Sequence, residues 1–139
     1  MSALTAARVA REWAPNTVQR SYAQAASTQI WEGGLIIANA SGYATPAVSG
    51  TISASGTGYS VLGVAQFSQL TTTGVYTPIT VHVGYFNFVA DSAFAKTAIG
   101  ATCYIVDDKT VSLTSTNRSA AGVVADVDAD GNPYVKVGL

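Results

Sequence analysis

The acidic run Asp126-Val127-Asp128-Ala129-Asp130-Gly131 is where residue types and spacing first suggest a ligand site. It reproduces the first half of a calcium-binding loop, in which alternate carboxylates and a sharp glycine turn surround the ion. Such a loop closes with a bidentate glutamate at its twelfth position, and that position here is Val137. The flanking residues alternate as strands do. The run therefore reads as an acidic hairpin turn ahead of a cation site, and no metal is assigned. His82 lies in an alternating segment, on the polar side of Ile79, Val81 and Val83. No cysteine is near it and the spacing offers no carboxylate partner, so it reads as a solvated or interface histidine rather than a catalytic base. Cys103 is the sole cysteine, which excludes an internal disulfide and a multi-cysteine metal site. At a strand start it reads as a small core residue. No serine stands in a G-x-S-x-G elbow, and no glycine-rich phosphate loop ends in Lys-Ser or Lys-Thr. Gly33-Gly34 precedes a strand rather than a helix, so it is no dinucleotide fingerprint. The sequence assigns no catalytic residue, no metal and no cofactor, and the chain is not expected to be an enzyme.

With chemistry so sparse, composition carries more of the argument. The chain has 139 residues, enough for one domain with a real core. Hydrophobic residues make up 48% and charged residues 11%, against about 25% charged in average globular proteins. A surface so poor in charge is covered by Ser, Thr, Asn, Gln and Gly, or by another protein. The net charge is −1 with no basic run. Neutralising phosphates takes clustered Lys or Arg, so no nucleic-acid partner is expected. No apolar run is long enough to span a bilayer as a helix, so no membrane partner is expected either. Arg8 and Arg11 have no apolar stretch behind them, and no signal peptide is expected.

The elements that must position these residues are strands. Period-two alternation and regular turn signals predict strands near residues 34–38, 60–66, 78–88, 102–106, 110–113, 121–127 and 133–138. Asp107-Asp108-Lys109 and Asp128-Ala129-Asp130-Gly131 read as hairpin turns. In the longest segment Ile79, Val81 and Val83 occupy odd positions, whereas Phe86 and Phe88 occupy even ones. That change of phase predicts a bulge or bend at Gly84-Tyr85. The two halves also echo each other. Glu32–Ile37 has a counterpart in 99–106, Leu62-Gly63-Val64-Ala65 in Ala121-Gly122-Val123-Val124, and Thr80-Val81-His82-Val83-Gly84 in Tyr134-Val135-Lys136-Val137-Gly138. The expectation is an all-β fold, a small β-sandwich or β-barrel built from two similar β units, with an extended or partly helical N-terminal arm.

The arm is placed at residues 1–27 and the β-domain at residues 28–139. Residues 2–13 are good helix formers with a thin apolar face, and Pro15 stops any helix there. Residues 17–29 are polar and alanine-rich, with Tyr22 as the one large side chain. The segment reads either as a frayed or loosely docked terminus or as an arm that becomes ordered on a neighbouring subunit. In the second reading Trp13 and Tyr22 are its anchors, and Arg8 and Arg11 share the interface.

One family resemblance bears on function. Trp31-Glu32-Gly33-Gly34-Leu35-Ile36-Ile37, Gly42-Tyr43-Ala44-Thr45-Pro46-Ala47 and Val61-Leu62-Gly63-Val64-Ala65 resemble the small capsid decoration, or cement, proteins of tailed bacteriophages and prophages. The more distinctive likeness runs from Ile99-Gly100-Ala101-Thr102-Cys103-Tyr104-Ile105-Val106 through Asp107-Asp108-Lys109-Thr110-Val111, and again over residues 118–128. It covers roughly residues 28–139 and leaves the first 27 unmatched. The resemblance implies a non-enzymatic β-rich protein on the outer capsid surface of a virion, made in the bacterial host cytoplasm, that stabilises the head lattice. Its implied partners are the major capsid protein and itself, as a homotrimer ahead of a dimer. The alternatives are another virion β component, such as a tail-tube or head–tail adaptor subunit, and a carbohydrate-binding β module using Tyr43, Tyr59, Tyr76 and Tyr85.

Overall fold

The computed structural model describes residues 3–8, 18–50 and 59–138. The chain is all-β. In order, the strands are β1 (Val18–Ala23), β2 (Gln29–Ile30), β3 (Leu35–Ala38), β4 (Ala44–Pro46), β5 (Ser60–Ala65), β6 (Gln69–Leu70), β7 (Pro78–Asn87) and β8 (Val89–Ala90). A short 3₁₀ turn at Lys96–Ala98 precedes β9 (Thr102–Ile105), β10 (Thr110–Ser112), β11 (Ala120–Val127) and β12 (Pro133–Val137). The main sheet runs β4-β3-β5-β7-β12-β11-β9-β10-β8, and β1 pairs with β7; β2 and β6 form a separate ribbon.

Apart from β8, this order reads as a palindrome. The first unit is β4-β3-β5-β7 and the second is β10-β9-β11-β12, each a set of antiparallel neighbours, joined where β7 pairs with β12. The sequence echoes fall on equivalent strands: β3 with β9, β5 with β11, and β7 with β12. Register breaks recur as well, between Ile36 and Ile37 in one unit and between Ala120 and Gly122 in the other. Each unit hides one apolar face, and packing the two together buries both. The main core takes Leu35, Ile37 and Val64 from the first unit, and Cys103, Ile105, Val111, Val124 and Val135 from the second. The result is a small sandwich.

The phase change along β7 has a clear purpose. Ile79 and Val81 enter a second, smaller core with Ile30, Ile36, Ala44 and Ala65, while Phe86 and Phe88 enter the main one. Adjacent residues of β3 divide in the same way, Ile36 to one core and Leu35 and Ile37 to the other. The first unit is thus covered on both faces. The expected bulge at Gly84-Tyr85 takes a different form. β7 runs unbroken, and its pairing with β12 passes through Gly84 and Tyr85 with no register shift. The phase changes at a positive φ of 152° at Gly84, where β1 pairing ends at Val83 and β12 pairing begins.

β1 is a finding the sequence did not predict. It falls within residues 1–27, yet it pairs along its whole length with β7, from Val18 opposite Val83 to Ala23 opposite Pro78. Five of its six residues are exposed. Backbone hydrogen bonds hold it, so it carries none of the apolar alternation by which strands are recognised.

Candidate interaction surface

Two regions carry side-chain hydrogen bonds between distant parts of the chain: a notch holding residues 3–8, and the connection between β5 and β7.

The notch begins with the turn at residues 31–34. Gly33 N donates to Ala65 O at 2.9 Å, Gly34 O accepts from Ala65 N at 2.9 Å, and Leu35 N donates to Asp108 O at 2.8 Å. These bonds belong to the β body and involve no atom of residues 3–8. Gly33 has φ +84°, and a β-carbon there would overlap the Arg8 carbonyl. Only glycine gives both the turn and the close approach. Arg8 N donates to Glu32 O at 2.7 Å. The Arg8 guanidinium donates through Nε to Gly33 O and through Nη2 to Asn87 O, each at 2.7 Å, and lies 5.3 Å from the centre of the Phe88 ring. Leu4 N donates to Asp108 Oδ1 at 2.6 Å. Burial pulls the Arg8 pKa down, opposed by the nearby Asp108 charge. Burial likewise pushes the Asp108 carboxyl above its ordinary range, with the Leu4 N–H pulling the other way.

The second region is stapled to residues 24–30. Gln24 is fully buried, and its Nε2 donates to Thr28 O at 2.8 Å and Gln69 O at 3.0 Å. Gln69 Nε2 returns a bond to Gln24 Oε1 at 2.8 Å. Thr71 Oγ1 accepts from Thr28 N at 3.0 Å and donates to Ala25 O at 2.5 Å. This polar frame holds a connection that leaves Phe67, Leu70, Val75 and Tyr76 exposed, Leu70 to 66%. Tyr76 stacks on Tyr43, ring centres 4.3 Å apart. Tyr43 is set by Asn39, whose Oδ1 accepts from Ser41 N and Tyr43 N in an Asx-type turn. Large apolar side chains on a rigid connection are the usual composition of a protein-binding surface.

The other candidate residues are more ordinary. In the acidic turn Asp128 Oδ1 accepts from Asp130 N and Asn132 N, both at 2.9 Å, and Asp126 pairs with Lys96 at 3.0 Å. Among the described residues no group of three potential ligands converges on a metal position. Cys103 is buried, its thiol pushed up to about 12 by that burial. His82 is half-buried on β7, opposite Gln19 of β1 and Val64 of β5. A cleft of about 370 Å³ lies between Val61, Ala120–Val123, Lys136 and Gly138, and among the described residues that line it only Lys136 is titratable, so they assemble no acid–base pair. Of the four candidate sugar-binding tyrosines, Tyr43 and Tyr76 meet, while Tyr59 packs on the main core and Tyr85 lies opposite Lys136.

Of the arm residues, Arg8 seats in the notch and Tyr22 packs against the smaller core from β1. Arg11 and Trp13 lie outside the described residues. Sequence reasoning missed Asp108 as a buried partner, because Leu4 lies 104 residues away from it along the chain. It also missed the apolar connection, since Phe67, Leu70, Val75 and Tyr76 follow no period. The chain matches no family model, no curated protein and no solved structure.

Proposed function

We propose that this chain is a structural virion protein that self-associates, binds the outer surface of a bacteriophage capsid and stabilises the head lattice. The observation that carries the reading is the stapled β5–β7 connection, which presents Phe67, Leu70, Val75 and Tyr76 to solvent on a chain with only 11% charged residues. A preorganised apolar surface of this kind loses little entropy when another subunit covers it. The resemblance over residues 28–139 supplies the identity of the partner, the major capsid protein. Repetition over a shell multiplies modest single contacts.

The test is co-sedimentation with phage heads that lack their decoration protein. The full chain should sediment with the heads. Leu70→Ser and Tyr76→Ser should keep the melting temperature of the unmodified chain and lose binding at least tenfold. A chain that ignores the heads, or variants that bind as well as the parent, would overturn the reading.

A further inference from the structure

The backbone bonds that shape the notch holding residues 3–8 all lie outside that segment. Its walls are fixed by bonds among Gly33, Gly34, Leu35, Ala65 and Asp108, and its floor is the Phe88 ring. What it recognises is specific: an arginine whose guanidinium reaches two backbone carbonyls and an aromatic face, and a backbone N–H four residues earlier that meets a buried carboxylate. Arginine suits such a site because its planar fork makes several directed bonds and stacks on an aromatic ring.

The tether is longer than its job requires. Arg8 and Val18 are separated by ten peptide units, which span roughly 33 Å when extended. Their anchor points, Asn87 for Arg8 and Val83 for Val18, are four residues apart on β7, about 13 Å along a strand. The guanidinium's own reach and one strand spacing do not consume the difference. β1, where the tether ends, has five of its six residues exposed and is held chiefly by its pairing with β7. The same tether can therefore lead residues 3–8 to the notch of an adjacent body. Exchange of this kind makes the same contacts between two chains that the closed form makes within one.

We infer that the Gly33/Asp108/Phe88 notch receives the N-terminal segment of a second copy, with Leu4 and Arg8 supplied in exchange between subunits. The inference rests on the reading that the chain self-associates, and it names the site of that association. In dilute solution the tether gives the chain's own segment the advantage of high effective concentration. Crowding of copies, in concentrated solution or side by side on a surface, favours the exchanged form.

The test uses two variants of the full chain, each with one cysteine added to the native Cys103. The Leu4 side chain lies 3.1 Å from where a Gly34 β-carbon would stand. Leu4→Cys protein mixed with Gly34→Cys protein at high concentration can form a disulfide at this site only between chains. The buried Cys103 stays out of the reaction. After mild oxidation a covalent heterodimer is expected on a non-reducing gel, and its absence overturns the inference. The double variant is the control: failure of residues 4 and 34 to join at all also overturns it. A second measurement avoids Gly34. Light scattering should show Arg8→Ala with a lower mass than the parent at equal concentration, and an unchanged mass refutes the exchange. If the parent associates and binds heads yet never cross-links, exchange alone fails; if it neither associates nor binds, the proposed function fails with it.

Discussion

Gly122 lies against the carbonyl oxygen of Lys136, with no room between them for a β-carbon. Gly63 stands in the same relation to His82, where an added β-carbon would come within 2.6 Å of the carbonyl oxygen. The two glycines occupy matching places on β5 and β11, and their neighbours occupy matching places on β7 and β12. The pseudo-repeat is therefore a constraint on backbone approach at the seam between strands, and not merely a likeness of valine patterns. Gly122→Ala forces β12 away and should lower stability by about 1–3 kcal/mol, the usual cost of overpacking. Gly63→Ala adds strain at φ +147° and should cost at least as much. Urea unfolding of the two variants checks this; a loss below about 0.5 kcal/mol in both would show that the seam is slack.

Arg8→Ala removes the two guanidinium bonds that tie residues 3–8 to Gly33 and Asn87. Hydrogen bonds from a charged donor contribute about 1.5–3 kcal/mol each, and the freed carbonyls regain some water. The expected loss is about 2 kcal/mol in thermal or chemical unfolding. The loss cannot exceed the free energy with which residues 3–8 dock, provided the β body folds without them. Arg8→Lys should recover little, since an ammonium cannot reproduce the fork. Full recovery by lysine would mean that charge alone holds the segment.

Asp108 gives the protein a pH dependence of unusual sign. Burial raises its carboxyl above the ordinary value of 3.8, with Asp107 adding to the shift, while the Leu4 N–H, its own backbone N–H and Arg8 oppose it. The folded state then binds this proton more tightly than the unfolded state does. Between 3.8 and the raised folded value, stability falls as pH rises. Acidifying from neutral pH into that window should stabilise the fold through this group. Asp108→Asn keeps an oxygen to accept from Leu4 N and removes the titration. Melting temperatures between pH 7 and 4 should therefore rise more on acidification for the parent than for the variant. Parallel profiles would remove Asp108 from the account.

Much of this architecture was legible in the chain because its strands bury one face and show it. The alternation at Ile79-Val81-Val83 and Val135-Val137 and the shared glycines at 63 and 122 gave both the strands and the repeat. β1 was not legible because it buries almost nothing; only its pairing with β7 makes it a strand. The two-residue strands β2, β6 and β8 are too short to show a period. The notch was hidden for a different reason. Arg8, Gly33, Asn87 and Asp108 are brought together by the topology from four distant parts of the sequence. A glycine pair before a strand signals a turn, but nothing in its spacing names the arginine that will cover it.

The acidic turn offers the last prediction, because its carboxylates already have work. Asp128 Oδ1 holds two backbone N–H groups of its own turn, and Asp126 is bound to Lys96 and to Val127 N. A cation would have to displace these bonds and would find Val137 at the position where a calcium loop supplies its bidentate glutamate. Calcium or a chelator should each leave the melting temperature within about one degree, a shift smaller than 1 kcal/mol produces in a domain of this size. The turn itself should be sensitive. Gly131 O accepts from Phe94 N at 2.8 Å, so the hairpin is tied to residues packed on the main core. Asp128→Ala removes both turn bonds and should cost about 1 kcal/mol, whereas Asp128→Asn, which retains an accepting oxygen, should lie close to the parent. A calcium-dependent rise in melting temperature that Asp128→Asn abolishes would reverse the assignment and make the run a cation site.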